Sequence, residues 1–375
     1  MASSFRLVLN GTPADDSLYT LLDALEVEES VDLPGAIQFS LPVTRTDDGD
    51  LSFVNDARFR PFANLAVIAT PDDGAPQCIF DGYVLSNKLH LETGTTASKL
   101  TVQGQDASWL MNLEEKQREF VDMTDADAAA AIFGDYGVTP HADNSKDDSP
   151  AHTEDGHSLM QRGTDIQFLR TLARRNGKLC RITCDATPGL RTGVFASPAL
   201  DGDPVVTMKL NDPTGAWQVA ALDIEWDVSR PSSVKAHQAL LNDSSPEGVA
   251  ADLDDSGLAL LEARNLSAFA GKNVTMLLAA PVDDAQELTL RAQSVLRDGG
   301  WFVRCEGQTD AARLKAVLRA GTLVQLDTIG ALHSGKYYVW NVRHTITKNS
   351  HAMHFVLVRN AVGAPPAGGL PGGFA

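Results

Sequence analysis

Apolar and polar residues alternate with a period of two through much of the first hundred positions. FRLVLNG (5–11), AIQFSLPV (36–43), NLAVIAT (64–70), FDGYVLSNKLHLE (80–92) and SKLTVQG (98–104) are short, β-rich runs parted by Gly, Pro, Asp and Thr clusters. Lys88-Leu89-His90-Leu91-Glu92 alternates cleanly, which predicts a strand with one wet and one buried face. The pattern predicts an all-β first domain over residues 1–108.

The period changes beyond Trp109. Thr124-Asp125-Ala126-Asp127 opens a short helix that Gly134 ends. Residues 141–158 are polar and Asp/Ser-rich and read as an exposed loop. Thr164 and Gln167 then form a capping box for a helix whose Ile166, Leu169, Leu172 and Ala173 share one face. Arg174 and Arg175 suit its C-terminal dipole, Gly177 is placed to end it, and 178–184 reads as a strand. Residues 109–203 are therefore expected to form an α+β insert.

Strand patterning returns in 205–210, 217–228 and 232–241, with 242–258 expected as a polar loop. Asp283 and Gln286 cap a further helix, 283–297. TLVQLDTI (322–329), GKYYVWNVRHTIT (335–347) and HAMHFVLVRN (351–360) complete a second β domain, 204–362. Residues 363–375 are a Pro/Gly tail with nothing to pack.

Residues 83–107 superpose without gaps on 338–362: Tyr83-Val84 on Tyr338-Val339, Lys88 on Arg343, Leu91 on Ile346, Leu100 and Val102 on Phe355 and Leu357. A similar strand precedes each copy. Two related β-barrel domains in one chain are the expectation. Three such chains around an axis present six similar modules, so a trimer can match a six-fold partner.

Composition narrows the function classes. The chain has 375 residues, 43% hydrophobic, with a formal net charge of −18. That balance argues against a broad nucleic-acid surface, which needs a basic stripe. No apolar run spans a bilayer, and no basic segment followed by an apolar run opens the chain, so synthesis in a host cytoplasm is expected. Four cysteines make no disulfide framework; Cys180 and Cys184 lie about 13 Å apart along one strand and read as buried thiols. His351 and His354 differ in parity and point to opposite faces, as rim histidines rather than metal ligands. Asp252-x-Asp254-x-Ser256-Gly257 imitates a calcium loop, but Ala263 stands where its bidentate Glu is needed. Glu114-Glu115 and Asp283-Asp284 suit solubility and capping. No catalytic residue, metal ligand or cofactor is assigned.

Two patterns carry a resemblance: T-D-x-x-F-L-x-x-L-A-x-x-x-G at Thr164, Asp165, Phe168, Leu169, Leu172, Ala173 and Gly177, and G-x-Y-x-V-x-x-V-x-H at Gly335, Tyr337, Val339, Val342 and His344. In this order, after an N-terminal β-barrel, they resemble the baseplate hub family of contractile tails: the phage late-control D proteins and the hub portion of VgrG-type spikes. The resemblance implies a mainly β chain with an α+β insert. Its two barrels per subunit would form a pseudo-six-fold ring as a homotrimer, in a virion tail baseplate or injection-system particle. It implies, besides the chain itself, a central spike protein, tail tube or tube-initiator proteins and baseplate wedge proteins as partners, without membrane insertion or specific nucleic-acid binding. The chain lacks the oligosaccharide-binding-fold and needle segments of VgrG-type proteins, so the spike is expected on a separate polypeptide. Two other classes are weighed: a β-rich hydrolase using loop Asp/Glu and His, and a carbohydrate- or receptor-binding module, which would need an exposed aromatic platform.

Overall fold

A computed structural model describes residues 4–363 apart from 73, 94–96, 156–157, 185, 211, 213, 216, 239–248 and 283–284. The expected tail (beyond Gly363) and the expected capping residue Asp283 lie outside the described residues.

The first part of the chain contains β1 (Ser4–Leu9), β2 (Thr12–Pro13), α1 (Asp16–Leu21), β3 (Leu25–Ser30), β4 (Ala36–Pro42), β5 (Asn64–Thr70), β6 (Gln77–His90) and β7 (Lys99–Asp106). A middle segment follows with β8 (Glu115–Phe120), α2 (Asp125–Asp135), β9 (Thr139–Pro140), β10 (Leu159–Thr164), α3 (Asp165–Arg175), β11 (Leu179–Cys184) and β12 (Arg191–Ala196). The last part holds β13 (Thr207–Lys209), β14 (Leu222–Trp226), β15 (Ser233–Gln238), β16 (Val249–Leu253), α4 (Leu266–Ala270), β17 (Thr275–Leu278), α5 (Ala285–Gly300), β18 (Val303–Asp310), α6 (Ala311–Leu314), β19 (Leu323–Asp327), β20 (Gly335–Ile346) and β21 (His351–Arg359).

One 13-stranded, largely antiparallel sheet joins the two ends of the chain in the order β14-β18-β21-β20-β3-β4-β7-β6-β5-β1-β2, with β19 and β13 branching from β20. Its core draws on both ends at once: Leu7, Leu25, Val27, Phe39 and Val102 pack in one cluster with Cys305, Val324, Tyr337, Val342 and Leu357. A separate core in the middle segment gathers Phe120, Ile132, Phe133, Ile166, Phe168, Leu169, Leu172 and Phe195.

The strands of the two ends follow the same plan. β3, β4, β5, β6 and β7 are hydrogen-bonded in the spatial order β5-β6-β7-β4-β3, and β14, β18, β19, β20 and β21 in the order β19-β20-β21-β18-β14. Both long hairpins break register at one residue, between Val84 and Ser86 and between Val339 and Asn341. A bulge re-aims a strand, and here it does so at corresponding positions. The gapless superposition is corrected in the returning strand. Val84 pairs with Gly104 but Val339 with Leu357, so Gly104 corresponds to Leu357 and Val102 to Phe355. The cause is a shorter turn in the second copy: eight residues separate paired His90 and Lys99, six separate paired Thr345 and Ala352. An even difference leaves every side chain on its original face.

Other expectations are corrected as well. The expected loop 242–258 contains β16, which pairs antiparallel with β15. The helix expected over 283–297 runs from Ala285 to Gly300 among the described residues. The loop 141–158 is not wholly exposed, because Asn144 and Ser149 are buried.

Candidate assembly interface

The sheet presents a polar face. Lys88, Gln103, Gln38, Glu26, Arg343, His354, Glu306 and Asp223, one from each of eight adjacent strands, are all exposed. Part of this face is a concave groove of about 880 Å³ lined by Glu26, Asp223, Glu306, Arg343 and His354. The opposite face is the apolar core, so the strands alternate as a sheet with one wet side should.

The strand edges of the main sheet that lack a partner among the described residues include two that bear apolar side chains. β14 pairs only with β18. β6 pairs with β5 from Gln77 to Tyr83 and with β7 from Gly82 to His90, leaving the other edge of Ser86–His90 open. The sequence pattern of Lys88–Glu92 anticipated one buried face, yet Ser86–Glu92 is exposed throughout, with Leu89 38% and Leu91 56% accessible. On β14, Trp226 is 52% accessible. An open edge bearing apolar side chains is a template for another strand.

The residues of the two motifs occupy separate places. Thr164 caps α3, its hydroxyl accepting from the Gln167 N–H in a capping box. Asp165 is fully buried and accepts from Lys116 Nζ (2.6 Å), the Tyr136 hydroxyl (2.6 Å) and Gln161 Nε2 (2.7 Å). Burial would raise this carboxyl, but those three donors hold it below the ordinary value. Phe168 stacks on Phe120, and Leu169, Leu172 and Ala173 fill the middle core. Gly177 adopts φ +61° against α5, where a Cβ would come 2.6 Å from Arg297 Cδ. Gly335 has φ +136° beside Glu262 and Arg359. Tyr337 donates to the His333 carbonyl (2.9 Å) under the Arg359 guanidinium, while Val339 and Val342 sit in the main core. The structure brings the helix motif into one core and the hairpin motif into another; they do not converge on a common site.

His351 is buried, which corrects its reading as a rim position, and so is its neighbour His344, whereas His354 is exposed. Parity along one strand hid the arrangement: His344 and His351 are diagonal neighbours across β20 and β21, with His344 Nδ1 3.0 Å from His351 Nε2. Glu29 on β3 completes the group, 3.4 Å from His344 Nε2, and accepts from Arg319 Nε at 2.7 Å. Burial would raise Glu29, but Arg319 and His344 hold it below its usual range. Burial and the neighbouring His344 push His351 down to about 3.

The loop 141–158 is stapled to α2 and α3 by a second polar cluster. Buried Asp125 accepts from Arg175 Nε (2.9 Å) and Nη2 (2.5 Å) and Asn176 Nδ2 (2.6 Å), and meets His152 Nε2 at 2.9 Å. Burial opposes ionisation, but His152, Arg175 and Asn176 hold this carboxyl at about 2. Its four acceptor sites are taken, which makes it a structural anchor rather than a free base. Lys178, buried and lowered by burial, donates to the Asn144 carbonyl (2.7 Å) and approaches Asp148 (3.3 Å). No group of three or more His, Cys, Asp or Glu suited to a metal occurs among the described residues. The four cysteines are free and buried.

Solved structures define the class of fold. A tail protein from Neisseria meningitidis superposes with a TM-score of 0.65 at 16% identity, covering 96% of this chain and 97% of its own. The 43 kDa tail protein of prophage MuSo2 from Shewanella oneidensis gives 0.66 at 14% identity, with 96% and 100% covered. An Escherichia coli component of the type VI secretion system, described as similar to T4 tail proteins, gives 0.54 at 12% identity over 92% and 76%. The fold is therefore the mainly β fold of phage tail and type VI secretion proteins. By sequence, the chain belongs to the family described as the Alg8 N-terminal domain, whose family model matches residues 3–348. No curated protein matches it.

Proposed function

We propose that this chain is a structural baseplate hub of a phage tail or related contractile injection system. Residues 1–108 and 204–362 are read as two related tube-like barrels and 109–203 as the insert between them. As a homotrimer they make a pseudo-six-fold ring that adapts a six-fold tail tube to a three-fold spike supplied by a separate chain. The observation that carries this reading is the repeated strand plan, with its register break at corresponding positions of the two long hairpins. The whole-length likeness to tail proteins supports it. A polar sheet face suits a bore through which cargo passes without sticking, and the apolar face supplies the wall. The motif residues, Thr164 to Gly177 and Gly335 to His344, are read as structural and not as catalytic.

Mixing the purified chain with the tail-tube and spike proteins encoded beside it tests the adaptor role. Co-sedimentation of this chain with both, at three copies per spike trimer, is expected. Binding to neither protein, by an otherwise folded chain, contradicts it.

A further inference from the structure

Among the described residues the main sheet joins the two halves of the chain at one pair of strands, and that junction is a template for a second one left unmade. Within the chain, β3 adds antiparallel to the far half of β20, beyond the point where β19 ends: Asn341 faces Ser30, Arg343 faces Glu28, Thr345 faces Glu26 and Ile346 faces Leu25. Asn341 and Arg343 both bond the Glu28 carboxylate, at 3.0 and 3.3 Å. The corresponding far half of β6 is the open edge Ser86–His90.

Following the ladders strand by strand identifies the counterpart of β3. Val84, Gly104, Ile37 and Val27 form one row, and Val339, Leu357, Cys305 and Ile224 form the matching one. Ile224 thus corresponds to Val27, and β14 to β3. The sequences agree once aligned this way: LEVEESVDLP (25–34) on LDIEWDVSRP (222–231), with Leu, Glu28/Glu225, Val31/Val228 and Pro34/Pro231 shared. Within the chain β14 does not pair with β6: it ends the sheet, and six strands lie between them.

We propose that β14 of one copy adds antiparallel to the open half of β6 in a second copy, continuing the sheet from chain to chain. This rests on the oligomeric hub reading and names its contact. Transferring the register of the existing junction puts Glu225 opposite Lys88, where Glu28 faces Arg343, and Asp223 opposite His90. On the other face Ile224 meets Leu89 and Leu222 meets Leu91. On the polar face a carboxylate therefore meets a lysine and another meets an imidazole, and apolar residues meet on the core face, as a stable cross-strand ladder requires. The contact is head-to-tail, so it generates a ring when the rotation closes. It also covers the exposed Leu89, Leu91 and Trp226 that the isolated chain leaves wet.

Directly opposed residues of an antiparallel pair have Cα atoms about 4.5–5.5 Å apart, within disulfide range. The double variant K88C/E225C is expected to give chains covalently linked in twos and threes on mild oxidation, while K88C or E225C alone does not link into threes. Lys88→Glu should raise the half-assembly concentration about tenfold by setting like charges face to face, and K88E/E225K should restore it. Oligomers that form normally but neither cross-link nor respond to charge reversal overturn this contact and leave the hub reading intact. Wild-type chain that stays monomeric at every concentration, alone and with its spike, overturns both.

Discussion

Burial decides what the titratable residues do. His344, His351, Glu29 and Arg319 fasten three strands at the middle of the sheet, and the neutral form of His351 is part of that packing. Its folded value is about 3, against about 6.5 for an ordinary histidine. The unfolded chain therefore binds more protons between these limits, and stability must fall as pH drops from 6.5 toward 3. Glu29, held low in the fold, adds loss in the same direction as it becomes protonated. We expect unfolding free energy to decline with acid at up to about 1.4 kcal/mol per pH unit from this histidine alone. His351→Gln, which keeps a polar partner for His344, should flatten that slope in chemical denaturation at pH 4 to 7. An unchanged slope would remove His351 from the explanation.

Helices were legible where a cap and a periodic face coincide. Thr124 with Asp127 and Thr164 with Gln167 form the capping boxes that start α2 and α3. Strand β16 was not legible, since Val249–Leu253 sits in an Asp/Ser-rich stretch and gains its partner only from β15. Pairing also explains the histidines: a parity argument along β21 says nothing of a diagonal neighbour on β20. Likewise, the match of 25–34 to 222–231 is visible in the letters but becomes meaningful only once the ladders align β3 with β14. Between elements, Gly177 shows how tightly α3 meets α5. Gly177→Ala would force a side chain into the left-handed region and against Arg297 and Ser294. A loss of about 1–3 kcal/mol is expected in thermal or urea unfolding; a neutral effect would mean that the two helices part easily.

At the scale of the molecule, one sheet holds the first and last thirds of the chain together, and its strand plan occurs twice. Sequence patterning reached the repeated plan through one hairpin; most of the other corresponding strands share only alternation and length, which is all a sheet asks of them. The polar face, the open β6 edge and the unpartnered β14 edge are consequences of pairing, and no window of sequence displays them. Native mass spectrometry of the purified chain, with negative-stain images of the same sample, tests the central claim most directly. Three chains per particle, seen as a six-lobed ring around a central hole, are the expected result. A compact monomer that remains single in the presence of its spike protein would contradict it.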